Sequence, residues 1–376
     1  MKREIELSVV IPCLNESETI QICLEKIFKV FNKEKIIGEV IVVDNGCTDD
    51  SINIAKKYRT RIIREKKKGY GFALRKGIES AKGKYVLFAD CDDSYNFLDI
   101  KRFLNYLRSG YDLVQGCRLP SGGGKILHGA MPLTHRYFGN PFFSFLVRFL
   151  YSAPYFDVYC GMRAFSKNFF LKLKHYCGGM EFAIENLLKF SIAKAKIKQI
   201  PITLHKDGRK LNKSHLRTFQ DGWKTLKLLL ICSPKWLYFL PAITFLFFGI
   251  ENIFSLYRNN FSDIDLVREI TISSIFFILF MQVFMFGIFS SLKAHNLGFS
   301  NLNKFIILFF SIFKIRHALI LSFFLICLSI FKIYFNQFVI INAQLDKVVS
   351  YFVFCSSVLL VFNSLLISFL EFDKNE

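Results

Sequence analysis

The stretch Tyr85–Tyr95, YVLFADCDDSY, decides the reading of the chain. Tyr85, Val86, Leu87, Phe88 and Ala89 form an unbroken apolar run of the length a buried parallel strand needs, and Asp90, Asp92 and Asp93 follow where that strand would emerge. Ligands of open α/β sheets collect at that carboxyl end. With one residue between them, Asp90 and Asp92 can face a single hard cation, Mg²⁺ or Mn²⁺, completed by water and substrate phosphates. An Asp-rich turn that merely caps a helix has the same composition, so other segments must decide.

Two upstream segments repeat the pattern. Leu7–Pro12 (LSVVIP) reads as a short buried strand running into Cys13, Leu14, Asn15 and Glu16, after which Ile20, Leu24, Ile27, Phe28 and Phe31 recur at helical spacing. Glu39–Val43 supplies a second strand ending in Asp44, Asn45 and Gly46, with Thr48, Asp49 and Asp50 placed to cap the next helix. In a doubly wound sheet, both loops open on the edge that carries Asp90, and three acidic loops become one pocket.

The segments IPCLNE (11–16), VVDNGCTD (42–49), KKGYGFALRKGIESAKGKYVLFADCDDSY (67–95) and CGMRAF (160–165), in this order and spacing, resemble the inverting glycosyltransferases of family 2. Within that family the chain is most similar to the membrane-anchored bacterial group related to dolichyl-phosphate mannose and polyprenyl-phosphate glucose synthases. The resemblance covers roughly residues 5–235. It implies an α/β GT-A (Rossmann-like) domain binding a nucleoside-diphosphate sugar of the UDP-glucose or GDP-mannose type through a DxD motif. By position it implies that Pro12, Asn15, Glu16 and Asp44 line the base and ribose pocket, and that Asp90 and Asp92 hold Mg²⁺ or Mn²⁺ and the diphosphate, with Asp92 counted among the catalytic residues. Asp157 matches a family aspartate near the reacting groups. A lipid monophosphate acceptor, largely a dianion at neutral pH, would not need it as a strong base.

Four cationic elements suit phosphate. Lys66, Lys67, Lys68 and Gly69 precede a glycine-punctuated helix start at Tyr70–Phe72, readable as an anion-facing loop through Lys68 or as a solvated turn. Arg118, Arg136 in HRYFGNP and Arg163 in CGMRAF are expected near phosphate, since guanidinium binds it bidentately. The resemblance gives Arg118 and Arg136 to the acceptor lipid phosphate; surface arginines, or for Arg163 a structural ion pair, are the plainer readings. Glu181 and Glu185 lie one helical turn apart and could contact sugar, order a loop or face solvent.

The organisation expected is a glycosyltransferase domain at 1–212, an amphipathic interfacial helix at 213–234 and an all-α transmembrane domain at 235–376. Leu216, Phe219, Trp223, Leu226 and Leu230, with Arg217, Lys224 and Lys227 around them, form the amphipathic face, suited to a membrane surface or to packing on the soluble domain. Four apolar stretches, approximately 236–257, 267–289, 318–335 and 348–370, have bilayer-spanning length. The run 305–313 is too short and reads as interfacial or re-entrant, with a fifth helix bent at Lys314 as the alternative. The connection Ser291–His317 carries Lys293, Lys304, Lys314 and Arg316 without an acid, which puts it, both termini and the catalytic domain on the cytoplasmic side of the inner (cytoplasmic) membrane. Met1–Glu6 is charged and the first apolar run is short, so no cleavable signal is expected.

The formal charge of +20 could suggest nucleic acid, but no nucleic-acid motif is present, and an enzyme meeting anionic lipids and diphosphates is basic for its own reason. Ten cysteines without a C-x-x-C pair indicate reduced thiols filling apolar positions. The function expected is hexose transfer from a nucleoside diphosphate to a polyprenyl phosphate of the undecaprenyl or dolichyl type, in cell-envelope glycan synthesis. The alternatives are a transferase of the same fold acting on another lipid-linked or glycan acceptor, and a non-catalytic nucleotide-binding membrane scaffold. A homo-oligomer is left open.

Overall fold

A computed structural model describes residues 4–209, 217–258, 263–312, 315–335 and 343–372. Leu216, Lys314, the boundary expected at 212–213 and much of the connections at 259–262 and 336–342 lie outside them. Two compact units divide the chain, Met1–Leu229 with Leu297–Phe299, and Leu230–Asn296 with Ser300–Glu376.

The first unit starts as the sequence pattern dictates. Strands β1 (Leu7–Cys13) and β2 (Gly38–Asp44) flank helix α1 (Ile20–Lys33), and α2 (Ser51–Lys56) leads to β3 (Thr60–Arg64). Then come α3 (Tyr70–Ser80), β4 (Tyr85–Phe88), α4 (Ile100–Arg108), β5 (Leu113–Cys117) and the short β6 (Lys125–Ile126). A π-type turn at His135–Gly139 opens α5 (Asn140–Tyr151), followed by β7 (Arg163–Ser166), α6 (Lys167–Lys172), α7 (Phe182–Ile192), β8 (Ile197–Pro201) and β9 (Thr203–Leu204). The main sheet runs β3-β2-β1-β4-β7-β5-β8. Its pairs are parallel except those on either side of β7, which is antiparallel to both β4 and β5. Thus β1, β2 and β4 end on one edge, as a doubly wound sheet requires.

Strand alternation splits the core between two faces. Val9 and Ile11 pack with Ile20, Leu24 and Ile27 of α1 and Phe103 and Leu107 of α4. On the other face α3 lies so close that a Cβ at Gly77 would meet Val10 Cγ1 at 2.5 Å and Val43 Cγ2 at 2.7 Å. Both faces are covered, which is why the strands read as continuous apolar runs.

Helix α8 (Thr218–Ile231) buries Thr225 and Leu229, and Tyr151 donates to the Leu229 carbonyl at 2.9 Å, while Phe219 and Trp223 stand out into the surroundings. One face of the helix thus packs on the first unit, and the opposite face is exposed. The second unit contains α9 (Leu240–Arg258), α10 (Asp263–Asn296), α11 (Lys304–Ile312), α12 (Ile315–Phe335) and α13 (Ala343–Phe372). Four stretches, Lys235–Ser255, Asp265–Asn296, Arg316–Ile333 and Lys347–Leu366, are long and apolar enough to cross a membrane; α11, at nine residues, is not.

Because α3 has no room for a methyl group at Gly77, Gly77→Ala is expected to destabilise the first unit by about 1–3 kcal/mol through overpacking. A lowered thermal unfolding midpoint, followed on the full chain in detergent, checks it; an unchanged midpoint would mean that α3 is not seated as described.

Candidate active site

The carboxylates of the strand ends do converge. Asp90 Oδ1 accepts from the Tyr70 hydroxyl at 2.9 Å, and a Cβ at Gly161 would lie 2.3 Å from Asp90 Oδ2, so only glycine lets this side chain settle there. Asp92 Oδ1 accepts from the Ser94 amide at 3.0 Å and its hydroxyl at 2.6 Å. Asp93, by contrast, turns away through a left-handed backbone (φ 59°) and pairs with Lys26 at 2.6 Å. Two of the three acids of the motif therefore remain for the site.

Negative charge is concentrated here at an electrostatic cost. Burial raises Glu16 to about 8 despite the attraction of Arg209, and burial together with the neighbouring Asp92 raises Asp90 to about 6. Arg209 answers this charge, reaching Glu16 Oε1 at 3.1 Å and Asp92 Oδ2 at 3.3 Å while also pairing with Asp207. The donor set suits a hard divalent cation: two carboxylates one residue apart, with a guanidinium already standing as counter-charge on one of them. Among the described residues no three His, Cys, Asp or Glu groups form a protein-only metal site, so further ligands would be water and phosphate.

Around these acids lies a cavity of about 700 Å³, walled in part by Pro12, Glu16, Asn45, Lys68, Asp90 and Asp92. Asn15 and Asp44, expected on the same wall, instead bind backbone. Asn15, at φ 57°, accepts from the Thr48 amide at 2.7 Å, tying the loops after β1 and β2 together. Asp44 accepts from the Gly46 and Cys47 amides at 3.0 and 2.9 Å, closing its own turn. The lysine loop is held by Asn45, which donates to the Lys67 carbonyl at 2.8 Å and accepts from the Gly69 amide at 2.8 Å. At the start of α3, Gly71 and Phe72 do not present free amides, because both donate to the Gly178 carbonyl. Of the three lysines of this loop, Lys68 lines the cavity.

A second cavity, of about 460 Å³, shares Asp90, Asp92 and Arg209 with the first and extends past Arg118, His135 and Phe143. Arg118 is clamped by Asp157, Nε to Oδ2 at 2.8 Å and Nη2 to Oδ1 at 2.9 Å, and its amide also donates to Oδ2 at 2.9 Å. Asp157 is fully buried and lines neither cavity, with both oxygens occupied, so it positions Arg118 and is not placed to take a proton from a substrate. Arg163 is also fully buried: it donates to Gln115 Oε1 at 2.5 Å, the Ala183 carbonyl at 2.7 Å and Asn186 Oδ1 at 2.9 Å, and lies over the Phe88 ring. It is a core strut between β7 and α7, not a phosphate ligand. Arg136 stacks on Tyr137 beside His135 and lines neither cavity.

Glu185 orders a loop: it accepts from the Tyr176 and Cys177 amides, both at 2.8 Å, and pairs with Lys189 at 2.8 Å. Glu181 lines the first cavity. Tyr70, Arg209 and His135 were not singled out by the sequence. The signal for Arg209 was the basic cluster Lys206-Asp207-Gly208-Arg209-Lys210 just past the last strand, anchored by the Gly208 amide on the Asp92 carbonyl at 2.8 Å.

Residues 8–173 match the Glycosyl transferase family 2 profile. They form a glycosyl transferase family 2 domain, and its mostly parallel sheet is GT-A-like. The chain is 35% identical over 238 residues to the low-salt glycan biosynthesis hexosyltransferase Agl6 of Haloferax volcanii, covering 63% of this chain and 56% of that protein. It is 29% identical to the dolichyl-phosphate hexose transferase of the same organism, over 52% of this chain and 82% of that one. To the human dolichyl-phosphate beta-glucosyltransferase it is also 29% identical, over 43% and 55% respectively. The chain thus spans little more than half the length of the first and third of these relatives.

Asp157→Ala is expected to leave Arg118 buried without its counter-ion and to cost about 3–5 kcal/mol of stability, measurable as loss of the folded chain in denaturant. Asp157→Asn, which keeps part of the hydrogen bonding, should cost less; equal and negligible effects would refute the clamp.

The neighbouring loop predicts a pH effect. His175 stacks on Phe170 with ring centroids 4.2 Å apart, and burial lowers it to about 4. Between the ordinary histidine value of about 6.5 and about 4, the unfolded chain binds a proton that the folded chain does not, so stability should fall as pH falls through this window and flatten below it. The unfolding midpoint of His175→Phe should lose part of this slope relative to the parent.

Proposed function

We propose that the chain is an inverting hexosyltransferase that moves a sugar from a nucleoside diphosphate to a polyprenyl phosphate at the cytoplasmic face of a membrane. The observation that carries this reading is the pair of cavities meeting at Asp90 and Asp92. The larger would take the donor, with Lys68 toward the diphosphate and Glu16 and Pro12 toward the nucleoside, while Asn15 and Asp44 shape the loops that carry this wall. Asp90 and Asp92 would hold Mg²⁺ or Mn²⁺, which when bound offsets charge on the departing diphosphate.

The smaller cavity would take the acceptor phosphate. Arg118 enters it already oriented by Asp157 and by Tyr95, whose hydroxyl accepts from Nη1 at 3.3 Å. Arg136 lies on the adjoining turn, where its side chain can swing toward the same anion. An acceptor oxygen there approaches C1 of the sugar from the side away from the diphosphate; the new C1–O bond forms as the bond to the diphosphate breaks, inverting the centre. The phosphate is mostly dianionic near neutral pH, so no protein base is required, in keeping with the buried, occupied state of Asp157.

A lipid acceptor is supported by what surrounds this cavity. Asn140 and Phe143 of α5 and Asp221 and Gly222 of α8 line it. The outer sides of the same helices expose Phe142, Phe145, Phe149, Phe219 and Trp223. Aromatic side chains beside Arg148, Lys224 and Lys227 suit the surface of an anionic membrane. The dolichyl-phosphate relatives agree with this acceptor class. Basic residues from the end of α10 to the start of α12, Lys293, Lys304 and Arg316 among them, favour the cytoplasmic side.

Membranes containing the chain, supplied with radiolabelled UDP- and GDP-hexoses and polyprenyl phosphate, should yield a labelled lipid. Asp92→Asn should lower kcat/KM by about a hundredfold or more, because the amide carries no charge to hold the cation. Full activity in excess chelator would remove the cation from the reading, and label entering only a glycan or lipid diphosphate would replace the acceptor.

A further inference from the structure

The donor cavity has a group of thiols at its floor that the proposed transfer does not use. Cys13, the last residue of β1, lines the cavity, as does Cys91 between the two acids of the motif. Cys47 sits in the turn after β2, half-buried, with its Sγ 3.7 Å from Cys13 Sγ and 3.3 Å from the Cys13 carbonyl oxygen. Cys91 and Cys23 are fully buried, Cys23 Sγ donating to the Cys91 carbonyl at 3.5 Å. Of these four thiols Cys47 is the least buried, Cys13 opens on the cavity, and the two are already in van der Waals contact.

We propose that Cys13 and Cys47 are a peroxide-oxidisable pair whose disulfide closes the nucleoside side of the donor cavity. In the first step a thiolate of the pair attacks peroxide, giving a sulfenic acid and one equivalent of hydroxide or water. The second thiol then displaces water from the sulfenic sulfur, so two thiols and one peroxide yield one disulfide and two waters. A disulfide needs sulfur atoms about 2.05 Å apart, so the two Sγ atoms must approach by about 1.7 Å, through side-chain rotation together with movement of the turn that carries Cys47.

That movement bears directly on the cavity. The same turn carries Asn45, which lines the cavity and holds the Lys67 carbonyl and the Gly69 amide, and Thr48, whose amide is bound by Asn15. Drawing the turn inward narrows the nucleoside wall and shifts the loop that presents Lys68. The hydrogen bond from Cys47 lowers the Cys13 thiol and raises that of Cys47, so thiolate character in the pair collects on Cys13. In a reducing compartment such a bond is transient, formed under oxidant and reversed by thiol exchange.

This inference rests on the donor reading of the larger cavity, and the test separates the two. Binding of Mn²⁺–UDP and Mn²⁺–GDP to the full, reduced chain in nanodiscs, measured by calorimetry, first judges the donor reading alone. The chain is then treated with hydrogen peroxide, alkylated, digested and mapped by mass spectrometry. A Cys13–Cys47 linked peptide is expected, with affinity for the bound nucleotide lowered about tenfold or more and restored by dithiothreitol. Cys47→Ser and Cys47→Ala should both keep nucleotide affinity under the same oxidant. Oxidation that links Cys13 to Cys91 instead, that stops at sulfinic acid without any link, or that forms the Cys13–Cys47 link with affinity unchanged would overturn the proposal.

Discussion

The site depends on placing several carboxylates where water is scarce. Glu16 from the loop after β1 and Asp90 and Asp92 from the loop after β4 meet because parallel strands β1 and β4 are direct neighbours and point toward the same sheet edge. Like charges held this closely repel, and burial deepens the penalty, which is seen in the raised Glu16 and Asp90. Such an arrangement persists only if a cation offsets it. Arg209 supplies one from outside the sheet, bridging Glu16, Asp92 and Asp207. The construction of the fold and the balance of charge at the strand ends are therefore the same electrostatic problem.

Other polar residues are committed to holding that geometry. Asp157 and Arg118 satisfy one another inside the domain, and Arg163 is held by Gln115, Asn186 and the Ala183 carbonyl where the antiparallel β7 crosses between β4 and β5. Buried ion pairs contribute little net stability, since desolvation opposes their attraction, but a partner removed leaves an uncompensated charge. Their effect is geometric: Arg118 faces the smaller cavity in one orientation because Asp157 allows no other. Glu185 does the same for the loop at 176–180 that closes over α3.

The sheet edge was legible because burial on both faces leaves uninterrupted apolar runs, and because acids directly after such runs have few places to go. The four membrane-length helices were legible from hydropathy alone, to within a few residues at most ends. Roles of single polar residues were less so. Asn15 and Asp44 have the right chemistry for a nucleoside, yet their side chains satisfy nearby amides, a local competition that sequence spacing does not reveal. Arg163 reads like a phosphate ligand until β7 is seen to run antiparallel through the middle of the sheet, where its side chain is enclosed. Arg209 was hidden for the opposite reason: it belongs to a basic run past the last strand, and only the chain's return to Asp92 makes it part of the site.

The apolar helices raise a different question, since lipid offers no hydrophobic gain for packing one against another. Several of their serines are satisfied within their own helix, Ser322 by the Ala318 carbonyl and Ser357 by the Val353 carbonyl, both at 2.7 Å, so these hydroxyls do not join helices. Gln282 of α10 and Asn363 of α13 do, the amide of Asn363 donating to Gln282 Oε1 at 3.2 Å. An amide pair in an apolar surrounding is directional and sensitive to the sliding or rotation of either helix, whereas contacts between Leu, Ile and Phe tolerate both. One polar pair can thus set the register of two long helices whose remaining side chains would accept many, just as one arginine balances the carboxylates at the strand ends of the first unit.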